Sequence, residues 1–204
     1  MSDDSQNSIQ VDVVVIGAGP GGYAAAFSAA DQGKRVVLVE NRQLGGICLY
    51  DGCIPSKALL HATKMMTEAQ DSARRGIEFQ PPTIHLDQLR AWKTSIISKL
   101  TEGVVSLAQR RGVQVLIGQG FLESSQQLRV ETAEGTKQIR FKTAILAVGS
   151  KPAMTSAFRL HDARVMTSAE ALELNEIPKN LLVVGGGYIG MELGTVYAAL
   201  GTEV

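Results

Sequence analysis

The sequence predicts an α/β fold. A three-layer domain stands on a parallel sheet, carries a small antiparallel excursion, and is followed by the first strand and helix of a second domain of the same kind. Three observations carry this expectation. The β-branched run VDVVVI leads into the glycine turn GAGPGG and then into a helical stretch of small residues, over positions 11–33. LLVVGGGYIG, followed by another helical run, repeats the design over positions 181–200. Between the two, strand-like and helix-like segments alternate, the pattern of helices laid on an open sheet. The expected division is 1–150 for the first domain and 151–204 for a connector plus the truncated start of the second.

Bulk properties exclude several classes. The 204 residues are 45 % hydrophobic and carry 20 basic and 20 acidic side chains, a formal net charge of zero. That balance argues against a nucleic-acid partner, which would select a basic surplus. Residues 11–30 are nearly all apolar and of about membrane length, but Asp12, the glycines and Pro20 interrupt them. MSDDSQNSIQ before them is acidic, unlike a secretory leader or an Arg-rich transit peptide. The expectation is a cytoplasmic chain with no membrane span.

Taken in order, VDVVVI is a buried strand. Gly17, Gly19 and Gly22 then follow in GxGxxG spacing. Gly17 permits the tight turn, Gly19 lets backbone approach a pyrophosphate, and Gly22 lets the helix pack on the strand. Pro20 suits the first helical turn. The helix N-terminus turns open N–H groups and a positive dipole end toward phosphates. YAAAFSAADQG continues as helix to a stop at Gly33. RVVLVE is a second strand ending on Glu40, where a carboxylate can accept from a ribose hydroxyl. Strand, turn, helix, strand and terminal acid together predict a dinucleotide cradle; the bland alternative is a glycine-rich turn in another α/β fold.

A helix is expected from about Pro55 to Arg75, and a long amphipathic one over 86–112, stopped by Gly112. VQVLIGQGFL reads as strand and turn, QQLRVET and TKQIRFK as an antiparallel pair around AEG, and TAILAVGSKP as a buried strand ending in a turn. LLVV is the next strand. Gly185, Gly187 and Gly190 repeat the first spacing, the helix stops at Gly201, and TEV opens a further strand. The residue that would read the second ribose lies beyond Val204, so the pattern leaves NAD and NADP both open. A duplicated scaffold with one dead site is the alternative.

GGICLYDGCIPSK, residues 45–57, holds both cysteines of the chain, Cys48 and Cys53. Zinc needs about four ligands, and only His61 is near in sequence, so no metal is expected. Two inert thiols remain possible. A structural clip over so short a loop gains little. A redox dithiol is the fourth reading: Cys53 stands at a helix start, where the dipole favours a thiolate, with the charge of Lys57 one turn on.

GGICLYDGCIPSK resembles the redox-active loop of the flavoprotein disulfide reductases. The resemblance spans the chain from VVVIGAGPGGYAAA to GGGYIGMELGTVYAALG. Within that family, CIPSKALLHATK, the LRAWK helix and ELGTVYAALG are most similar to the lipoamide-specific reductases shared by 2-oxo acid dehydrogenase complexes; mercuric reductases are the nearest alternative. The resemblance implies a Rossmann-like FAD-binding domain and the start of a Rossmann-like NAD-binding domain. Gly17, Gly19 and Gly22 would hold the FAD pyrophosphate and Glu40 the adenosine ribose, with Gly45, Gly46, Gly120 and Gly149 as further contacts. Cys48 would exchange with dihydrolipoamide on a lipoyl carrier domain. Cys53 would stand against the flavin, in charge-transfer contact when reduced. Lys57 would lie beside the flavin ring, paired with Glu192. Gly185, Gly187 and Gly190 would take the NAD pyrophosphate. The resemblance also implies a homodimer of a longer chain, whose second FAD segment and His–Glu base pair lie outside these residues. The 204 residues alone are therefore expected to bind flavin weakly at most and to be inactive. His61, His85 and His161 match no catalytic base and read as core or solvated residues.

Overall fold

A computed structural model of the chain describes residues 8–160 and 162–204. Expectations on residues 1–7 and on His161 lie outside the described residues. The chain divides into two compact units. One comprises the residues up to Leu49 with Lys99–Ser150; the other comprises Tyr50–Ser98 with Lys151–Val204.

The first unit is built on five strands: β1 (Ser8–Ile16), β2 (Val36–Glu40), β3 (Gln114–Ser124), β4 (Gln127–Thr132) and β5 (Gly135–Leu146). β1 runs parallel to both β2 and β5, with Val14 opposite Val37 on one side and Ala144 on the other. β2 runs parallel to β3, and β4 pairs antiparallel with β3 and β5. The ladder therefore closes into a five-stranded ring. The sequence suggests an open sheet, with TKQIRFK and TAIL as separate strands. They form one strand instead, because no glycine or proline breaks the chain between them, and β5 is long enough to serve β4 and β1 together. β3 serves β2 through Gln114–Ile117 and β4 from Gly118 on. Gly118 is the pivot: a Cβ there would lie 2.4 Å from the Glu131 carbonyl oxygen.

Three layers result. Helix α1 (Pro20–Asp31) and the second half of helix α4 (Leu86–Arg110) cover one face, where Ala26, Phe27 and Ala108 pack on Val15 and Leu38. The other face packs Val14, Val37 and Val39 against Leu128, Val130, Ile139 and Phe141 of the antiparallel layer. Val14 and Val15 point to opposite faces, as the two-residue strand period requires. All five residues of β2 are buried, the mark of a strand covered on both sides.

Asp12, midway along β1, ties that strand to β5 and to the residue that precedes β2. Its carboxylate accepts from the Arg35 backbone N–H at 2.9 Å and from Lys142 Nζ at 2.8 Å. The Lys142 bond, then the Arg35 N–H, draw its pKa from 3.8 to about 2. A lowered folded-state pKa contributes stability above the ordinary carboxylate value and loses it as pH falls through the folded one. Asp12→Asn is therefore expected to unfold less steeply than the parent between about pH 4 and pH 2. Identical slopes in an acid titration followed by circular dichroism would refute this.

A five-residue helix, α2 (Gly46–Tyr50), replaces the loop expected around Cys48. In the second unit, α3 (Cys53–Ser72) starts at Cys53 and ends in a 3-10 turn, Ala73–Arg75. This unit also holds the first half of α4 and the helices α5 (Ser168–Glu173) and α6 (Tyr188–Ala199). Leu59 of α3 is buried with Leu193, Val196 and Tyr197 of α6, joined by Leu172, Leu174 and Leu200. The sequence pattern does not predict α5, although its capping box is legible: Thr167 and Glu170 bond each other's backbone ends. The buried Lys93 donates from Nζ to the Leu172 carbonyl at 2.5 Å, placing a cation at the C-terminal end of α5.

LLVV does not form the expected strand. One parallel bridge, Asn180 with Glu203, stands just before it, and the Leu181 N–H donates to the Glu203 carbonyl at 2.8 Å. Leu182 and Val184 are accordingly 85 % and 64 % exposed. Among the described residues, no helix is long and apolar enough to cross a membrane.

Candidate functional site

In the first unit the glycine turn between β1 and α1 is fixed by backbone contact. Gly17 has φ +96, and a Cβ there would lie 2.2 Å from the Ala147 carbonyl oxygen. A Cβ on Gly22 would lie 1.8 Å from the Gly17 carbonyl oxygen. Gly19 caps α1 with an extended backbone, Pro20 follows it, and no side chain caps the helix. The first N–H groups of α1 stay open to an anion.

Glu40 is buried at the end of β2. Its Oε2 accepts from the Ala18 N–H at 2.7 Å and its Oε1 from the Arg42 N–H at 2.9 Å. The carboxylate thus braces the turn, and each oxygen keeps a second lone pair.

The segment that carries Cys48 is fastened to this turn. The Gly45 N–H donates to the Ala18 carbonyl at 2.8 Å. Gly46 has φ +60, and a Cβ on it would lie 2.6 Å from Gly19 Cα. Two backbones therefore touch where side chains would hold them apart. Cys48 follows on α2, half-buried. Gly149 (φ +72) lies in the exposed turn after β5, with Ile47 Cδ1 3.9 Å from the position of a Cβ. Gly120 lies within β3, where a Cβ would meet only ordinary contacts to Leu128, Val39 and Ile16.

In the second unit, Cys53 is the exposed first residue of α3. One turn on, Lys57 Nζ donates to Glu192 Oε1 of α6 at 2.5 Å. Ser56, which is buried, donates from Oγ to Glu192 Oε2 at 2.9 Å and lies 3.2 Å from the Cys53 carbonyl oxygen. The family resemblance implies a pairing of Lys57 with Glu192, and the two side chains meet across 135 positions. Ser56 carried no signal, because its partner lies on a distant helix.

The bond to Glu192 raises the Lys57 pKa above 10.5, and the bond from Lys57 lowers the Glu192 pKa below 4.5. The signs agree. The pair favours the folded state most between the two ordinary values, losing force as pH falls through the Glu192 value or rises through the Lys57 value. Glu192→Gln is expected to bring the Lys57 amine back toward its ordinary pKa, read by NMR of the methylated lysine. An unchanged titration would show that the pair does not hold in solution.

The second glycine turn copies the first in part. A Cβ on Gly190 would lie 2.5 Å from the Gly185 carbonyl oxygen, as Gly22 stands to Gly17. Gly187 caps α6 with an extended backbone and no capping side chain. Gly185 (φ +103) and Gly187 face open space, unlike Gly17. His61 and His85 are exposed.

The site thus presents two helix starts without a capping side chain and a cysteine-bearing segment built onto the first of them. The chain belongs to the pyridine nucleotide-disulphide oxidoreductase family, whose model matches residues 11–204. It is 46 % identical to a dihydrolipoyl dehydrogenase of Haemophilus influenzae over 198 residues, 96 % of this chain and 41 % of the relative. It is 45 % identical to the dihydrolipoyl dehydrogenase of Bacillus subtilis, covering 96 % of this chain and 42 % of the relative. Among solved structures it is similar to LpdA of Mycobacterium tuberculosis, with TM-score 0.83 and 28 % identity over 94 % of this chain and 43 % of that one. The chain thus spans about two fifths of the length of the curated relatives it matches.

Proposed function

We propose that this chain carries the flavin-binding turn and the redox disulfide of a dihydrolipoyl dehydrogenase, in which dihydrolipoamide is oxidised and NAD⁺ reduced. The observation that carries the reading is the fastening of the Cys48 segment to the first glycine turn, through Gly45 on Ala18 and Gly46 on Gly19. A dithiol that must trade electrons with a dinucleotide needs its segment fixed relative to the phosphate site.

The residues fit FAD at the first turn. The start of α1 is uncapped, and a Cβ on Gly21 would meet nothing within 4 Å, so the approach is open. Gly17, Gly19 and Gly22 would hold the pyrophosphate, with Gly45, Gly46, Gly120 and Gly149 as backbone contacts. The second lone pairs of Glu40 suit the adenosine ribose. Gly185, Gly187 and Gly190 would take the pyrophosphate of NAD. FAD, once bound there, would supply a two-electron carrier.

The chain's own residues do the thiol chemistry. One thiolate of dihydrolipoamide attacks Cys48 in the Cys48–Cys53 disulfide, and Cys53 leaves as a thiolate. The second substrate thiolate then displaces Cys48 and closes lipoamide. Two electrons rest on the protein dithiol before they pass on to NAD⁺, giving NADH. Cys53 stands at the start of α3, one turn before the Lys57 ammonium. The carrier is a lipoyl domain of a 2-oxo acid dehydrogenase complex, the working form is a homodimer, and the setting is the cytoplasm.

Purified full-length protein should form NADH from dihydrolipoamide and NAD⁺ far faster than it consumes NADPH with mercuric ion or glutathione disulfide. Preference for either of those acceptors would overturn the substrate assignment while leaving the family intact.

A further inference from the structure

Lys57 is exposed along most of its length, its side chain 58 % accessible, while Glu192 is 24 % accessible. Such a pair gains little by itself, because holding a long flexible stem costs entropy and water screens the charges. Here the carboxylate is gripped from its other oxygen by a buried hydroxyl. Ser56 is 6 % exposed, and its Oγ lies 2.9 Å from Glu192 Oε2. The hydroxyl has one proton. The charged carboxylate takes it in preference to the Cys53 carbonyl, 3.2 Å away, because charge-assisted bonds are the stronger kind.

Both helices beneath this contact are packed. Pro55, Ala58 and Leu59 are buried on α3, and Leu193, Val196 and Tyr197 on α6. The Tyr197 hydroxyl donates to the Ala171 carbonyl at 2.8 Å, tying α6 to α5. Ser56 and the Glu192 backbone are therefore fixed, and the tip of Lys57 is the mobile part.

We infer that Ser56 is a positioning residue: by pinning Glu192 it holds the Lys57 ammonium one turn from Cys53, where the charge serves the thiolate. This deepens the redox reading of Cys53 and rests on it. Ser56 acts through Glu192 and Lys57 and need not touch substrate.

The test uses the full-length, flavin-loaded protein with Ser56→Ala, which removes one oxygen atom and nothing else. The first readout is the labelling rate of the Lys57 amine, followed by peptide mass spectrometry. It is expected to rise about threefold, as for a surface amine released from its partner. The second is the long-wavelength absorbance of the two-electron-reduced protein, which reports the thiolate against the flavin and should fall. In a Lys57→Met background, Ser56→Ala should change that absorbance no further. Unchanged Lys57 labelling overturns the proposal, as does a full Ser56→Ala effect persisting without Lys57. A parent protein with no long-wavelength band would sink the redox reading of Cys53, and Lys57 labelling would still decide whether Ser56 positions the lysine.

Discussion

Gly22→Ala is expected to break the first glycine turn. Its new Cβ would stand 1.8 Å from the Gly17 carbonyl oxygen and 2.8 Å from the Gly17 carbonyl carbon. Both are backbone atoms, so no side chain can swing away. Gly17 cannot retreat either, since its own Cβ position lies 2.2 Å from the Ala147 carbonyl oxygen. Relief requires α1 to move off β1, disturbing Phe27 and Ala26 in the core. The cost is about 3 kcal/mol or more, the upper range for forced overpacking. For a chain of this size that lowers the thermal midpoint by roughly 6–12 °C, and the purified protein should come out without flavin. Gly21→Ala is the control. A Cβ there meets nothing within 4 Å, and its stability should stay within about 0.5 kcal/mol of the parent. Gly190→Ala should fall between the two: the contact with Gly185 is 2.5 Å, but Gly185 borders open space and can yield. Equal behaviour of Gly21→Ala and Gly22→Ala in a melting experiment would contradict this account of the turn.

Cys53→Ser is the second large effect. Cys53 is exposed at the first position of α3, so a near-isosteric change should leave the fold and flavin content as they are. A serine hydroxyl cannot form or leave a disulfide. Oxidation of dihydrolipoamide should therefore fall about a thousandfold or more, as when a covalent catalyst is removed. Turnover retained within tenfold by a protein that still holds its flavin would take the redox role away from this segment.

How far the sequence could be read depended on the range of each cause. β1, the first turn, α1 and β2 follow from local rules: a β-branched run, glycines at fixed spacing, a proline at the helix start and an acid at the strand end. The start of α4 at Leu86 and the stop at Gly112 (φ +64) are local in the same way. LLVV forms no strand because a strand is a pairing, and hydrophobic pattern does not supply the partner; the pairing stops at its first residue, with one bridge at Asn180–Glu203 and the Leu181 N–H on the Glu203 carbonyl. The fusion of TKQIRFK with TAIL into β5, and the ring closure that follows, depend on which neighbours a long strand meets. Around the cysteines, the sequence marked the thiols and Lys57, but not the short helix α2 or the buried Ser56. Gly46 is required by its φ of +60 and by Gly19, 27 positions earlier, lying against it. The Lys57–Glu192 pair was reached through resemblance, since no spacing rule joins residues on α3 and α6.

The central claim is that Cys48 and Cys53 store two electrons as one disulfide. The most direct test is a differential thiol label on the full-length, flavin-loaded protein, read by peptide mass spectrometry before and after one equivalent of dihydrolipoamide under argon. The air-oxidised protein should label at neither cysteine, and the reduced protein at both. Full labelling of Cys48 and Cys53 in the air-oxidised protein, or flavin bleaching with no gain of thiols, would contradict the claim.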